Sequence, residues 1–213
     1  MKLIRPSYKI ESVLDRESIL ESIMQAGSTC YKSEPKDASA FVHKIIALGH
    51  ESVIEHQSIT VRFIIDRGVS HELVRHRLCS FSQESTRYCS YKDCVTFIIP
   101  PWVHIEPGTY GSESIQKANI LPYPTHCWLT HMFSCSESYN ELLRMSWTSQ
   151  QARSVLPNSL KTEIVVTANL REWRHILALR TSSKAHPQMQ EIMIPLLKEL
   201  HTQLPEVFDA YSS

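Results

Sequence analysis

The feature that most limits the fold is a change of hydrophobic period along the chain. Ile59, Val61, Phe63 and Ile65 alternate with other residues, the period-two pattern of a strand with one buried face. Stripes at helical spacing precede it. Ile19, Leu20, Ile23 and Met24 share one face of a helix predicted over Arg16 to Gln25, with Asp15 as its cap. Phe41, Val42, Ile45 and Ile46 form the stripe of a second, from Pro35 to Leu48, preceded by Ser33 or Glu34. Gly49 stands where a C-terminal cap belongs. This mixture of periods implies an α+β protein, with helices around a small, mostly antiparallel sheet. A length of 213 residues suits one domain, spanning 1–213.

The rest of the chain extends the same pattern. Arg67-Gly68 is predicted to turn the chain, and Ser70 to cap a helix running to about Leu78. Cys79 to Asp93 holds many hydroxyls and little periodicity, so it is expected to be a loop. Thr96 to Ile99 reads as a short strand, and 102–123 as irregular. A long helix is predicted over Thr125 to Met145, then another capped by Thr148 or Ser149 and ending near Leu156-Pro157. Thr162 to Ala168 is a β-branched strand, after which Asn169 caps a helix to Arg180. Met189, Ile192, Met193, Leu196 and Leu200 mark the buried face of a last helix, Pro187 to Leu204.

Several function classes drop out. Five glycines supply no G-x-G-x-x-G and no Walker loop, so neither a Rossmann nor a P-loop site is supported. Basic and acidic side chains balance at 22 each, which leaves no global field to draw nucleic acid or a membrane. An RNA- or DNA-binding module is further disfavoured because no aromatics interleave with Arg75 to Arg77. The six cysteines contain no C-x-x-C pair, and no apolar run suits a signal peptide or a membrane helix. The expectation is a cytoplasmic protein with reduced thiols and no metal site. His50-Glu51-Ser52-Val53-Ile54-Glu55-His56 resembles a zinc-protease helix only superficially: Ile54 and Ser52 occupy the positions where a second histidine is needed.

Arg75, His76, Arg77 and Arg87 fall within thirteen positions, beside Ser80, Ser82, Ser85 and Thr86. Guanidinium forks bind phosphate oxygens, and short hydroxyls add donors. On charge count alone the plainer account is favoured, a solvated helix end with Arg75 paired to Glu72 or Glu84. If helical, Arg75 and Arg77 point about 200° apart and serve different partners. A second basic group comprises Arg153, Arg171, Arg174, His175, Arg180 and Lys184. Arg171, His175 and, less closely, Arg180 share one side of their helix, and Arg180 also complements its C-terminal dipole.

Arg75-His76-Arg77, seven residues, then Ser85 resembles the R-H-R-x7-S signature of the flavin-dependent thymidylate synthases (the ThyX family). Gly49-His50-Glu51-Ser52 with Glu55-His56, Ser82 to Tyr88, and Ala152 to Pro157 with Asn169-Leu170-Arg171 and Leu179-Arg180 resemble further family segments in the same order. The resemblance implies an α+β homotetramer with active sites shared between subunits. It implies conversion of dUMP to dTMP, with 5,10-methylenetetrahydrofolate as carbon donor, FAD as hydride relay and NADPH as reductant. It assigns FAD to Ser52, Arg75, His76, Arg77, Gln83, Asn169, Leu170, Arg171 and His175, with His50 as a further contact. It assigns dUMP to Glu72, Leu73, Val74, Arg75, Gln83, Glu84, Ser85, Thr86, Arg87 and Arg153, and gives Arg180 the catalytic place against uracil N3. Some members carry Gln at the position of Glu72 and Glu at that of Gln83. No protein nucleophile is implied, so Cys79 and Cys89 are read as packing residues. The alternative is a non-catalytic homologue that binds nucleotide and flavin without turnover.

Overall fold

The computed structural model describes residues 1–32, 34–92 and 94–209. The expected cap at Ser33, and Asp93 at the end of the predicted loop, lie outside the described residues. The strands are β1 (Lys2–Ile4), β2 (Ser7–Ile10), β3 (Ser58–Asp66), β4 (Ser80–Gln83), β5 (Thr96–Ile98), β6 (Gly108–Thr109) and β7 (Lys161–Asn169). The helices are α1 (Arg16–Tyr31), α2 (Ala38–Ala47), α3 (Arg67–Leu73), α4 (Ser112–Lys117) and α5 (Tyr123–Arg144). They continue as α6 (Ser149–Ala152), α7 (Leu170–Arg180), α8 (Pro187–Gln203) and α9 (Pro205–Phe208). The class is α+β, as the mixed periods imply. Two small sheets are present, ordered β5-β1-β6 and β2-β3-β7-β4. The first is mixed: β1 runs parallel to β5, with Leu3 opposite Phe97, and antiparallel to β6.

The described residues form two compact units, each assembled from separated segments. The first comprises Met1–Ser7, Ile64–Leu73 and Ser82–Ile164. Leu3, Phe97, Leu129, Met132, Tyr139 and Leu160 are among the buried side chains of its core. The Tyr139 hydroxyl meets the polar requirement of burial by accepting from the Tyr91 amide at 3.2 Å.

The second unit comprises Tyr8–Phe63, Val74–Phe81 and Val165–Ser213. Trp173 is fully buried and donates its indole N–H to the Ile59 carbonyl at 2.9 Å, so one large side chain both fills the core and ties α7 to β3. Glu206 on α9 is buried and accepts from Arg16 on α1 and from Ser39 on α2, the latter at 2.7 Å. Burial pushes that carboxyl up, but the hydrogen bonds from Arg16, Ser39 and its own backbone outweigh burial and hold it at about 2.

Local signals explain most boundaries. Asp15 accepts from the Ser18 amide and Asn169 from the Glu172 amide, the N-caps expected of them. Thr148 and Gln151 form a capping box at α6. Gly49 adopts φ +73 at the end of α2, with His50 N–H reaching Ile45 O and Gly49 N–H reaching Ile46 O, a Schellman closure. Helix α1 runs six residues past Gln25 because Ser28 and Thr29 turn their hydroxyls back onto its carbonyls rather than ending it. Helix α2 starts later than predicted because Asp37, not Ser33 or Glu34, accepts from the Ala40 amide at 3.0 Å.

Four expectations are corrected. Arg67-Gly68 is not a turn but the start of α3, because the buried Asp66 carboxylate accepts from the Val69 amide at 2.7 Å and caps the helix four residues before Ser70. Helix α3 stops at Leu73, so Arg75-His76-Arg77 is not helical. Ser80–Gln83, expected as loop, is a strand: it lacks an apolar stripe, and its pairing comes from backbone groups that hydroxyl-rich composition does not reveal. Within 102–123 the chain forms β6 and α4, again from segments with little apolar periodicity.

Candidate active site

In the second unit, β7 delivers Asn169 to the start of α7, and the helix then sends Arg171 and His175 outward and Trp173 and Arg174 inward. This is the division of faces the sequence predicts. Asn169, Arg171 and His175 line a cleft of 640 Å³ with Glu51, Glu55 and Arg174. A second hollow of 340 Å³ shares Glu51 and Arg171 and adds His50 and Ser52. Two carboxylates organise the cations: Arg171 donates to Glu55 at 2.5 Å, and Arg174 to Glu51 at 3.0 Å and to the Val207 carbonyl. Arg174 is buried and bound into the scaffold, whereas Arg171 is 54% exposed and can exchange its carboxylate for an anionic ligand. Leu170 is fully buried, so any contact it offers a ligand is through its backbone.

His76 is the buried member of its motif, and Arg75 and Arg77 stand exposed on either side. Its Nε2 accepts from Arg180 Nε at 3.0 Å, and its Nδ1 lies 3.5 Å from Glu172 Oε1. His175 sits edge-on, ring centroids 5.9 Å apart. Burial first, then the charges of Arg180 and His175, lower His76 from the ordinary 6.5 to about 4. Glu172 is raised by burial, partly offset by His175. His76 and Glu172 are therefore not an ion pair near neutral pH; a neutral imidazole faces a carboxylate. The ligand atoms of His76, Glu172 and His175 lie within 4.8 Å of one another, a spacing that would suit a metal ion. The guanidinium against His76 makes this a poor seat for a cation. Cys79 is pushed up to about 12 by burial and by the Glu172 charge, so its thiol stays protonated and is a poor nucleophile.

The first unit carries a separate hollow of 450 Å³ lined by Arg67, His71, Thr86, Arg153 and Ser154, among others. Arg153 donates to the Thr86 hydroxyl at 3.0 Å. Arg67 and His71 stand four residues apart on α3, one turn of the same face. Sequence reasoning missed both, although that spacing beside a basic motif was the available signal. Around this hollow the loop is tied down. Ser85 Oγ accepts from the Arg87 amide, Glu84 pairs with Lys161 at 2.7 Å, and Gln83 donates to Ser70 and Thr162. Glu72 is half-buried, Leu73 fully buried and Val74 exposed at the end of α3. The family-implied residues thus divide by unit. Gln83 is the one flavin residue in the first unit, and Val74, Arg75 and Arg180 are the nucleotide residues in the second.

Known proteins resemble this chain in sequence and in fold. The model of the Thy1 family, thymidylate synthase complementing protein, matches residues 12–206. The flavin-dependent thymidylate synthase of Corynebacterium aurimucosum is 34% identical over 209 residues, covering 94% of this chain and 82% of that protein. The enzyme of the same name from Mycobacterium tuberculosis is 36% identical over 192 residues, covering 86% of this chain and 76% of the relative. The crystal structure of the UMP/dUMP methylase PolB from Streptomyces cacaoi, bound with 5-Br UMP, superposes with a TM-score of 0.78. It covers 100% of this chain and 96% of that one at 19% identity, a likeness of fold.

Proposed function

The chain belongs to the Thy1 family, the flavin-dependent thymidylate synthases, and we infer from that membership that it converts dUMP to dTMP by reductive methylation. The carbon donor is 5,10-methylenetetrahydrofolate and the reductant is NADPH. When bound, FAD supplies the hydride relay that this chemistry needs. The observation that carries the reading is the family match over residues 12–206.

The clefts of the second unit fit such a dinucleotide. Arg171 can pair with phosphate oxygens, while Asn169, Ser52 and His175 add polar groups of the kind a flavin and its ribityl chain engage. Arg75, His76, Arg77, Gln83 and Leu170 are assigned to the flavin on the family resemblance. For dUMP, we assign the phosphate to Arg153, with Arg67, His71 and Thr86 of the same hollow, and to Ser85 and Arg87. Glu72, Leu73, Val74, Arg75, Gln83 and Glu84 are assigned along the nucleotide by resemblance. Arg180, held through Nε by His76, stabilises negative charge at uracil N3 by charge-assisted hydrogen bonding. The protonated Cys79 thiol supports a route without a protein nucleophile.

Residues 1–213 are proposed to act as one domain, because β3, β4 and β7 each contain residues of both units. A homotetramer with shared sites is assigned on the family resemblance. Among the described residues no helix is long and apolar enough to cross a membrane. The six unpaired thiols support a reducing, cytoplasmic setting.

Purified protein should be yellow and release tritium from [5-³H]dUMP only when flavin, NADPH and methylenetetrahydrofolate are all present. A colourless protein that takes up no added FAD overturns the reading.

A further inference from the structure

Glu172 is the third residue of α7, where an Asn-capped helix commonly bends a Glu side chain back onto the cap. Here Asn169 accepts from the Glu172 amide, but the Glu172 carboxylate turns inward and is 7% exposed. Burying a carboxylate costs free energy unless a partner compensates. The dipole at the start of α7 offsets part of that cost. The partner on the inner side is His76 Nδ1.

The protonation pattern follows from Arg180. Arginine stays protonated in proteins, so its Nε always carries hydrogen. With Arg180 Nε 3.0 Å from His76 Nε2, that ring nitrogen must present its lone pair. A neutral imidazole accepting at Nε2 carries its proton on Nδ1. Nδ1 lies 3.5 Å from Glu172 Oε1, so that proton faces the carboxylate. The opposite tautomer would set two N–H groups against each other on one side and leave Nδ1 against a carboxylate on the other. Both contacts of the ring therefore demand the same tautomer. His175 and Cys79 also face this trio.

We propose that Glu172 is a positioning residue: its buried carboxylate holds His76 in the Nδ1–H tautomer, so that Nε2 fixes the Arg180 guanidinium for its work on the pyrimidine. The arrangement is a carboxylate–imidazole pair that orients a cation, with the logic by which a carboxylate orients the histidine of a hydrolytic triad. The proposal rests on the thymidylate synthase reading for what Arg180 does, but not for the tautomer itself.

Two measurements on the FAD-loaded enzyme separate those parts. In ¹⁵N spectra of histidine-labelled protein, His76 should show the Nδ1–H form at neutral pH. An Nε2–H form, an imidazolium, or a His76 resonance shifted by added Zn²⁺ overturns the proposal. In steady state, Glu172→Gln should lower kcat about ten- to a hundredfold, the usual loss when an orienting partner is removed, with KM for dUMP and FAD content within about twofold. Glu172→Asp should recover part of kcat. In a His76→Gln background, whose amide oxygen can still accept from Arg180, Glu172→Gln should cost nothing further, since the two residues act as one unit. Unchanged kcat, or equal losses of kcat, dUMP affinity and flavin, overturns it. A wild-type enzyme that makes no dTMP yet shows the Nδ1–H form refutes the function reading alone.

Discussion

His76 matters at the residue scale because it resists taking a proton. Burial, Arg180 and His175 hold it at about 4 against an ordinary 6.5. Its folded value is depressed, so the unfolded chain binds more protons between those limits. The stability tied to a neutral His76 is complete above pH 6.5 and is lost as pH falls toward 4. Linkage allows roughly 3 kcal/mol, and relaxation of a charged ring toward water should reduce it to about 1–2 kcal/mol. Glu172 is raised, so its slope has the opposite sign above pH 4.5. Comparison with a variant therefore isolates His76 better than the wild-type curve alone. Melting temperatures of the holoenzyme and His76→Gln, measured from pH 7 to 4, should converge as pH falls. Parallel curves would refute a buried neutral histidine. The motif Arg75-His76-Arg77 was legible in the sequence, but its conformation was not. Helical geometry put the two arginines on opposing faces, whereas the chain leaves the helix at Leu73 and buries only the histidine. Nothing local in the sequence marks that exit, because it depends on Glu172 and Arg180, about a hundred positions away.

At the element scale, caps were readable and edge pairing was not. Asp15, Asn169, Thr148 and Gly49 mark helix ends through side-chain or backbone chemistry within four residues, so a sequence displays them. Strand β4 depends on a partner eighty positions distant, and its own residues carry no stripe. The caps can be tested singly. Gly49 adopts φ +73 with open space where a Cβ would stand, so Gly49→Ala carries backbone strain without a clash. It should destabilise the protein by about 1 kcal/mol. Asn169→Ala should cost about 1 kcal/mol through the lost bond to the Glu172 amide, with Asn169→Ser nearly neutral. Urea unfolding measures both. If Asn169→Ser keeps stability yet loses flavin, the side chain serves the ligand as well as the helix.

Across the whole molecule, the residues implied by the family sort into two sets that alternate along the chain but gather in different units. Arg153 and Thr86 share a hollow with Arg67 and His71, while Arg171 and His175 share a cleft with Asn169. Separate hollows predict separable defects. Arg153 already donates to Thr86 and lines its hollow beside Arg67, so it would bind a phosphate as one donor among several. Removing one charged hydrogen bond costs roughly 1.5–3 kcal/mol, or about ten- to a hundredfold in affinity. Arg153→Ala should therefore raise KM for dUMP by that factor and leave FAD content unchanged. Arg171 is exposed, so water screens its pairing with Glu55 and that pairing would yield to an anionic ligand. Arg171→Ala should consequently lose FAD on gel filtration, with dUMP affinity retained once flavin is restored in excess. Isothermal titration of each variant with dUMP, and absorbance of bound flavin, read the two losses independently. Loss of both ligands from either variant would show that the two sets depend on one another.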